Sequence, residues 1–215
     1  MIETMIASVM STTLDLYTYA TPNGRKISIM LEEAGWPYRV HTIDIEKGEQ
    51  LESSYVALNP NGKIPVLVDQ ANGRTLFESG AILLYLTERT GTFVPAEGDR
   101  FATYQWLFFQ AAHIGPILGQ FWHFTKFASE PVPLAIDRYL KESERLFRVL
   151  DSELSKREFL VGTYGVADIA NWAWIDAAVR ELDLSLTGLP HLGRWHAAIG
   201  ARPAVVRGAA IPKIA

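Results

Sequence analysis

Thr21 and Asn23 have the residue types and spacing to handle sulfur. A threonine hydroxyl and an asparagine amide are both short and both donate hydrogen bonds. They fall between a segment patterned as a strand and one patterned as a helix. In open α/β sheets ligands sit at that kind of junction, and the positive end of the helix adds an attraction for a thiolate. An amide is not a base at neutral pH, so Asn23 would act by hydrogen bonding and placement. Tyr17 and Tyr19 lie just upstream and offer hydroxyls for the same task. In strand alternation they share one face, so both also read as packing residues. Turn formation and capping are the other reading of Thr21 and Asn23. The chain contains no cysteine. Disulfides, zinc-thiolate sites and a cysteine nucleophile are therefore excluded, and any thiol in the chemistry belongs to the ligand.

A second constellation lies in residues 62–84. Lys63, Ile64 and Pro65 enter a short apolar run, and proline at a strand start loses least by its missing N–H. A cis Ile64-Pro65 bond would face the Ile64 backbone outward, where an extended peptide-like ligand can pair with it. Ser79 follows Glu78 at the opening of a helix. It can cap that helix, and the same free N–H groups can receive a ligand carboxylate. An ordinary strand start and an ordinary cap are the alternative. Gln50 and Lys63 can each contact a polar ligand or simply lie at the surface. Arg138, Glu142 and Arg145 can form charge pairs along a helix, or Arg138 can reach a carboxylate of a partner subunit. His113 and His123 do not share a helical face, and no metal site is expected. Asp168, near the start of a buried helix, reads as a structural acceptor of backbone N–H groups.

The elements that must position these residues follow from periodicity. Residues 14–19 read as a strand, 25–34 as a helix ended by Gly35, and 38–44 as a second strand, a βαβ unit. Residues 66–68 and 74–77 form a hairpin, with a helix running from Ser79 to about Arg89. Residues 91–99 read as a linker. Beyond it an aromatic-rich helix bends at Gly115-Pro116, and helices follow at 134–156, 165–178 and 191–200, with a tail from Arg202. The expected organisation is an extension at 1–13, an α/β domain at 14–90, the linker, and an all-helical domain at 100–215. At 215 residues and 48% hydrophobic the chain can bury a core. Its net charge of -4, without a basic patch, argues against a nucleic-acid partner. Residues 1–13 carry no Lys or Arg, unlike a secretory signal. No apolar run reaches membrane-spanning length, so a cytoplasmic location is expected.

This pattern resembles the cytosolic glutathione transferases from about Leu14 onward. The resemblance rests on Lys63-Ile64-Pro65 with Val66-Leu67-Val68-Asp69, on Phe77-Glu78-Ser79-Gly80-Ala81-Ile82, and on Gly165-Val166-Ala167-Asp168-Ile169-Ala170. In the last of these, glycine replaces the family's usual Ser or Thr cap. Tyr19-Ala20-Thr21-Pro22-Asn23-Gly24-Arg25-Lys26-Ile27 is similar to the bacterial nu class, which is itself akin to the fungal Ure2-type proteins. The resemblance implies a thioredoxin-like domain followed by an all-helical one, a homodimer, and glutathione as co-substrate, two molecules or the disulfide form per site. It implies reduction of small disulfides without a protein cysteine. Conjugation of glutathione to electrophiles, or glutathione binding without catalysis, are the alternatives. Carried over, Ile64 with cis Pro65 would pair with the cysteinyl part, Glu78 and Ser79 would hold the γ-glutamyl end, and Gln50 and Lys63 would lie toward the glycyl carboxylate. Thr21 and Asn23 would face the sulfurs, and Arg138 would reach a ligand in the other subunit's site.

Overall fold

Strand β1 (Leu14–Thr18) is buried along nearly its whole length, which makes it a central strand. In the computed structural model, which describes residues 14–94 and 100–213, it pairs parallel with β2 (Tyr38–Thr42) and antiparallel with β3 (Val66–Asp69). β3 in turn pairs antiparallel with β4 (Arg74–Phe77), giving the order β2-β1-β3-β4. The expected extension at 1–13, and residues 95–99 of the expected linker, lie outside the described residues.

A parallel pair needs a crossover, and α1 (Pro22–Ala34) supplies it. The expected helix began at Arg25. It begins instead at Pro22, because proline's fixed φ and missing N–H suit the first helical position, and Thr21 caps it by accepting the Gly24 N–H at 3.2 Å. Gly35 ends the helix at φ 63°. A single 3-10 turn (Glu49–Leu51) and the short α2 (Ser53–Val56) connect β2 to β3. α3 (Ser79–Thr90) follows β4.

Residues 14–90 and 202–213 form one compact unit, and 91–94 with 100–201 form a second. The end of the expected helical domain is thus corrected. Residues from Arg202 include α9 (Pro203–Ala209), which packs on α1 in the first unit. Gly208 permits this, since a Cβ there would lie 2.5 Å from the Ile29 Cα. Ser28 Oγ donates to the Gly208 carbonyl at 2.7 Å. Arg202 grips both Glu33 oxygens at 2.6 and 2.9 Å.

The second unit is helical, so the two together are the expected α/β plus all-α class. α4 (Arg100–Phe109) passes through a π-helical turn (Gln110–Ile114) into α5 (Gly115–Trp122), and a second π-helical turn (His123–Phe127) ends the run. The sequence marked Gly115-Pro116 as a bend. Pro116 cannot donate to the preceding turn and crowds it, and a widened turn is how a continuous helix takes in such a residue. α6 (Pro133–Leu154), α7 (Val166–Glu181) and α8 (Pro190–Gly200) complete the unit. Asp168 in the first turn of α7 accepts from Leu160 N at 3.0 Å, Gly165 N at 3.1 Å and Trp195 Nε1 at 2.8 Å, the structural role expected of it. Burial pushes its carboxyl up to about 6, against the pull of these donors.

Candidate functional site

The strand register gathers the site. Tyr17 is opposite Val66, and Val66 is opposite Phe77. The end of β1, the start of β3 and the end of β4 therefore share one end of the sheet. Thr21, Asn23, Ile64, Pro65, Glu78 and Ser79 all lie on the segments that leave or enter there. The strand register thus brings these segments to one end of the sheet.

Thr21 and Asn23 were expected in a turn. Thr21 is the cap of α1 and Asn23 lies in its first turn. Ser79 was expected to cap α3 but is its first residue, with Glu78 before it. The Glu78 carbonyl accepts the Ile82 N–H at 2.9 Å, and its own backbone is left-handed, at φ 66°. For a residue other than glycine that conformation is uncommon and is found where surrounding structure enforces it.

The residue that joins these pieces was not singled out in the sequence. Lys26, on α1, is 2% exposed. Its Nζ donates to Asn23 Oδ1 at 2.8 Å and to Ser79 Oγ at 3.2 Å, tying the sulfur-facing candidate to the start of α3. Burial pulls its ammonium down to about 7, while the charge of Glu78 favours the protonated form. The available sequence signal was a lysine inside a helix whose neighbours Ile27, Ile29 and Met30 are all buried.

Ile64 is held from behind. The Lys63 carbonyl accepts Tyr55 Oη at 2.8 Å and Asn59 Nδ2 at 2.6 Å. The Ile64-Pro65 bond is cis, as the sequence suggested. Gly62 closes the turn at φ 61°, and a Cβ there would come 3.3 Å from the Gln50 carbonyl, so the turn bearing Gln50 lies against this loop. Gln50 Nε2 donates to the Ile45 carbonyl at 3.3 Å, and its Oε1 is buried with no partner among the described residues. The leftover group is thus an acceptor, which suits a ligand N–H better than a carboxylate. The Lys63 side chain is exposed.

Tyr17 stacks on His41 of the neighbouring strand, ring centroids 4.4 Å apart, and Tyr19 lies just past the end of β1 and is buried. Arg138 belongs to the second unit and is exposed on α6. Of the charge pairs expected among Arg138, Glu142 and Arg145, the hydrogen-bonded one is Arg145 with Glu142, at 2.8 and 2.7 Å.

Models of the glutathione S-transferase N-terminal and C-terminal domains match residues 12–88 and 112–203. The disulfide-bond oxidoreductase YfcG of Escherichia coli is 46% identical over 199 residues, which cover 89% of this chain and 92% of that protein. A solved glutathione transferase from Burkholderia graminis, with two glutathione molecules bound per subunit, matches with a TM-score of 0.90 at 41% identity, over 94% of this chain and 90% of that one. Another from Pseudomonas putida, with one glutathione disulfide bound per subunit, matches at 0.89 and 38% identity, over 93% and 92%.

Proposed function

The chain belongs to the glutathione transferase family, and from that premise we propose that it reduces small disulfides with glutathione, through bound glutathione thiols. The observation that carries this reading is the Asn23–Lys26–Ser79 cluster at the sheet's end in a chain with no cysteine. The site is equipped to hold sulfur and has none of its own.

In the proposed reaction one glutathione thiolate attacks a substrate disulfide. A new S–S bond forms to glutathione, and one half of the substrate leaves as a thiolate. A second glutathione thiolate then attacks the glutathione sulfur of this mixed disulfide. Glutathione disulfide forms, and the second half of the substrate leaves. The rate follows the thiolate fraction, moderated by the weaker nucleophilicity of very acidic thiols. The Ile64 backbone pairs with the cysteinyl unit beside Pro65. Glu78 takes the γ-glutamyl ammonium and Ser79 its carboxylate. Gln50 and Lys63 lie toward the glycyl end, and the spare Gln50 oxygen suits the glycyl amide N–H rather than the carboxylate. Asn23 and Thr21 face the sulfurs. The functional assembly in this reading is a nu-class homodimer in the cytoplasm, with Arg138 reaching the ligand of the other subunit. Among the described residues no helix is long and apolar enough to cross a membrane.

A paired assay tests the reading. Reduction of a small model disulfide and conjugation of a model electrophile are measured with glutathione at equal enzyme concentration. Turnover of the disulfide well above that of the electrophile is expected. The reverse makes the protein a conjugating transferase, and turnover of neither with measurable glutathione binding makes it a binding protein.

A further inference from the structure

Lys26 is a buried cation that none of the steps above uses. An asparagine amide near a thiolate has two ends of opposite character. Its NH2 end stabilises the anion, and its oxygen end repels it. Nothing in Asn23 itself selects between them. The Lys26 ammonium has only donors to offer, and it holds Asn23 Oδ1 at 2.8 Å. Flipping the amide would set donors against donors beside a buried charge. The same Nζ lies 3.2 Å from Ser79 Oγ, which must therefore accept there and turn its proton elsewhere.

Resting on the glutathione reading of this site, we infer that Lys26 is a positioning residue that fixes donor polarity at two points of the bound ligand, its sulfur and its γ-glutamyl carboxylate. It directs the Asn23 NH2 toward sulfur and the Ser79 hydroxyl proton toward the γ-glutamyl carboxylate. Charged groups stand on the elements packed against α1, and the one that acts on Lys26 immediately precedes α3. Glu78, beside Ser79, favours its ammonium form. On α9, Arg202 and Arg207 are engaged with Glu33 and Glu32. With burial drawing the ammonium down to about 7, the device works below that pH and fades above it. The thiolate fraction rises over the same range, so kcat/KM for disulfide reduction should climb and then bend downward above about pH 7.

Lys26→Met removes the charge and keeps the length of the stem. It gives up two hydrogen bonds, but it also removes a charge that burial already disfavours, and the relief of that desolvation offsets part of the loss. The expected result is a loss of about 10–100-fold in kcat/KM, disappearance of the downward bend, and no further loss when Asn23→Ala is added. Wild-type kcat/KM with an unchanged pH profile in Lys26→Met, or full additivity of the two substitutions, overturns the inference. A measurement on the unaltered protein covers a variant that fails to fold. The Asn23 side-chain amide resonance, assigned by its loss in Asn23→Ala, should shift with a midpoint near the ammonium's titration, and a resonance unmoved from pH 6 to 9 overturns the inference. A wild-type protein that reduces no disulfide would remove the functional reading, while the amide titration would still decide whether Lys26 orients Asn23.

Discussion

Asn23 in the proposed reaction acts only as a donor, and a sulfur anion is a diffuse acceptor. Its loss should therefore cost less than the ~3–4 kcal/mol of a strong oxyanion donor. Asn23→Ala is expected to lower disulfide-reductase kcat/KM about 10–100-fold, or about 1.4–2.8 kcal/mol. Thr21→Ala should cost less activity but also about 0.5–2 kcal/mol of stability, because Thr21 Oγ1 is the cap that accepts the Gly24 N–H. Tyr17→Phe should cost least, since its stacking on His41 survives the change. Steady-state kinetics on folded variants check the order. An inactive Tyr17→Phe beside a near-normal Asn23→Ala would move the sulfur to a tyrosine and favour conjugation. Ser79 belongs to binding rather than to sulfur chemistry. As the first residue of α3 it is not the helix cap, so Ser79→Ala loses its hydrogen bond with Lys26 and its contact with the ligand. Glutathione affinity should fall by about 1–2 kcal/mol, read by calorimetry, and unchanged affinity would remove Ser79 from the site.

Elements show how far the sequence could be read. The strands, the hairpin and most helices were legible because periodicity and turn residues agreed at those places. The start of α1 was missed because Thr21-Pro22-Asn23-Gly24 is turn chemistry and helix-start chemistry alike, and only the tertiary setting chooses. α9 was missed because its burial depends on Gly208 meeting the backbone of Ile29, a contact across most of the chain's length. Lys26 was missed because a lysine in a helix is normally at the surface, and its apolar neighbours Ile27, Ile29 and Met30 are only a weak sign that its ammonium is enclosed. The absent Ser or Thr cap of α7 finds its reason in packing. A Cβ on Gly165 would lie 2.5 Å from the Phe93 carbonyl, which accepts the Val166 N–H at 3.0 Å. Gly165→Ser should therefore lower stability, by about 1–3 kcal/mol of overpacking, where a cap alone would raise it. Denaturant midpoints check the sign. In the sheet, Asp15 ties β1 to Arg39 and His41 of β2 and to Gln70 of the hairpin turn. The Arg39 guanidinium, bound to both oxygens, holds its carboxyl well below the usual carboxylate range. The unfolded chain takes up this proton at higher pH than the folded one. The contribution is therefore complete above the unfolded pKa and lost as pH falls through the folded one. Asp15→Asn should lower stability by about 1–3 kcal/mol at pH 7, discounted because Arg39 is largely exposed. The gap from wild type should close as pH falls below about 4, and a gap constant with pH would place the loss in packing rather than in charge.

At the scale of the whole molecule the open question is what covers the aromatic face of the helical unit. Phe101 and Phe108 are 66% and 70% exposed, and they stand two turns apart on α4, on one side of the helix. With Tyr104, Phe109 and His113 they line an open hollow. Large apolar side chains left in water together are characteristic of interfaces, and a second copy of the chain is the simplest partner, by a two-fold axis that sets the same face against itself. The proposed role of Arg138 needs such a partner, because it reaches the ligand of the other subunit. Sedimentation at micromolar concentration is expected to give twice the 24.0 kDa chain mass. Phe108→Glu, which sets a charge on that face, should shift the protein toward monomer without unfolding it, as the side chain it replaces contributes little to the unit's own core. If the face is the dimer interface and Arg138 acts across it, Phe108→Glu should also lose disulfide-reductase activity in parallel with dissociation and recover it at higher protein concentration. A wild-type protein that sediments only at 24.0 kDa while reducing disulfides normally would refute both the homodimer and the cross-subunit role of Arg138.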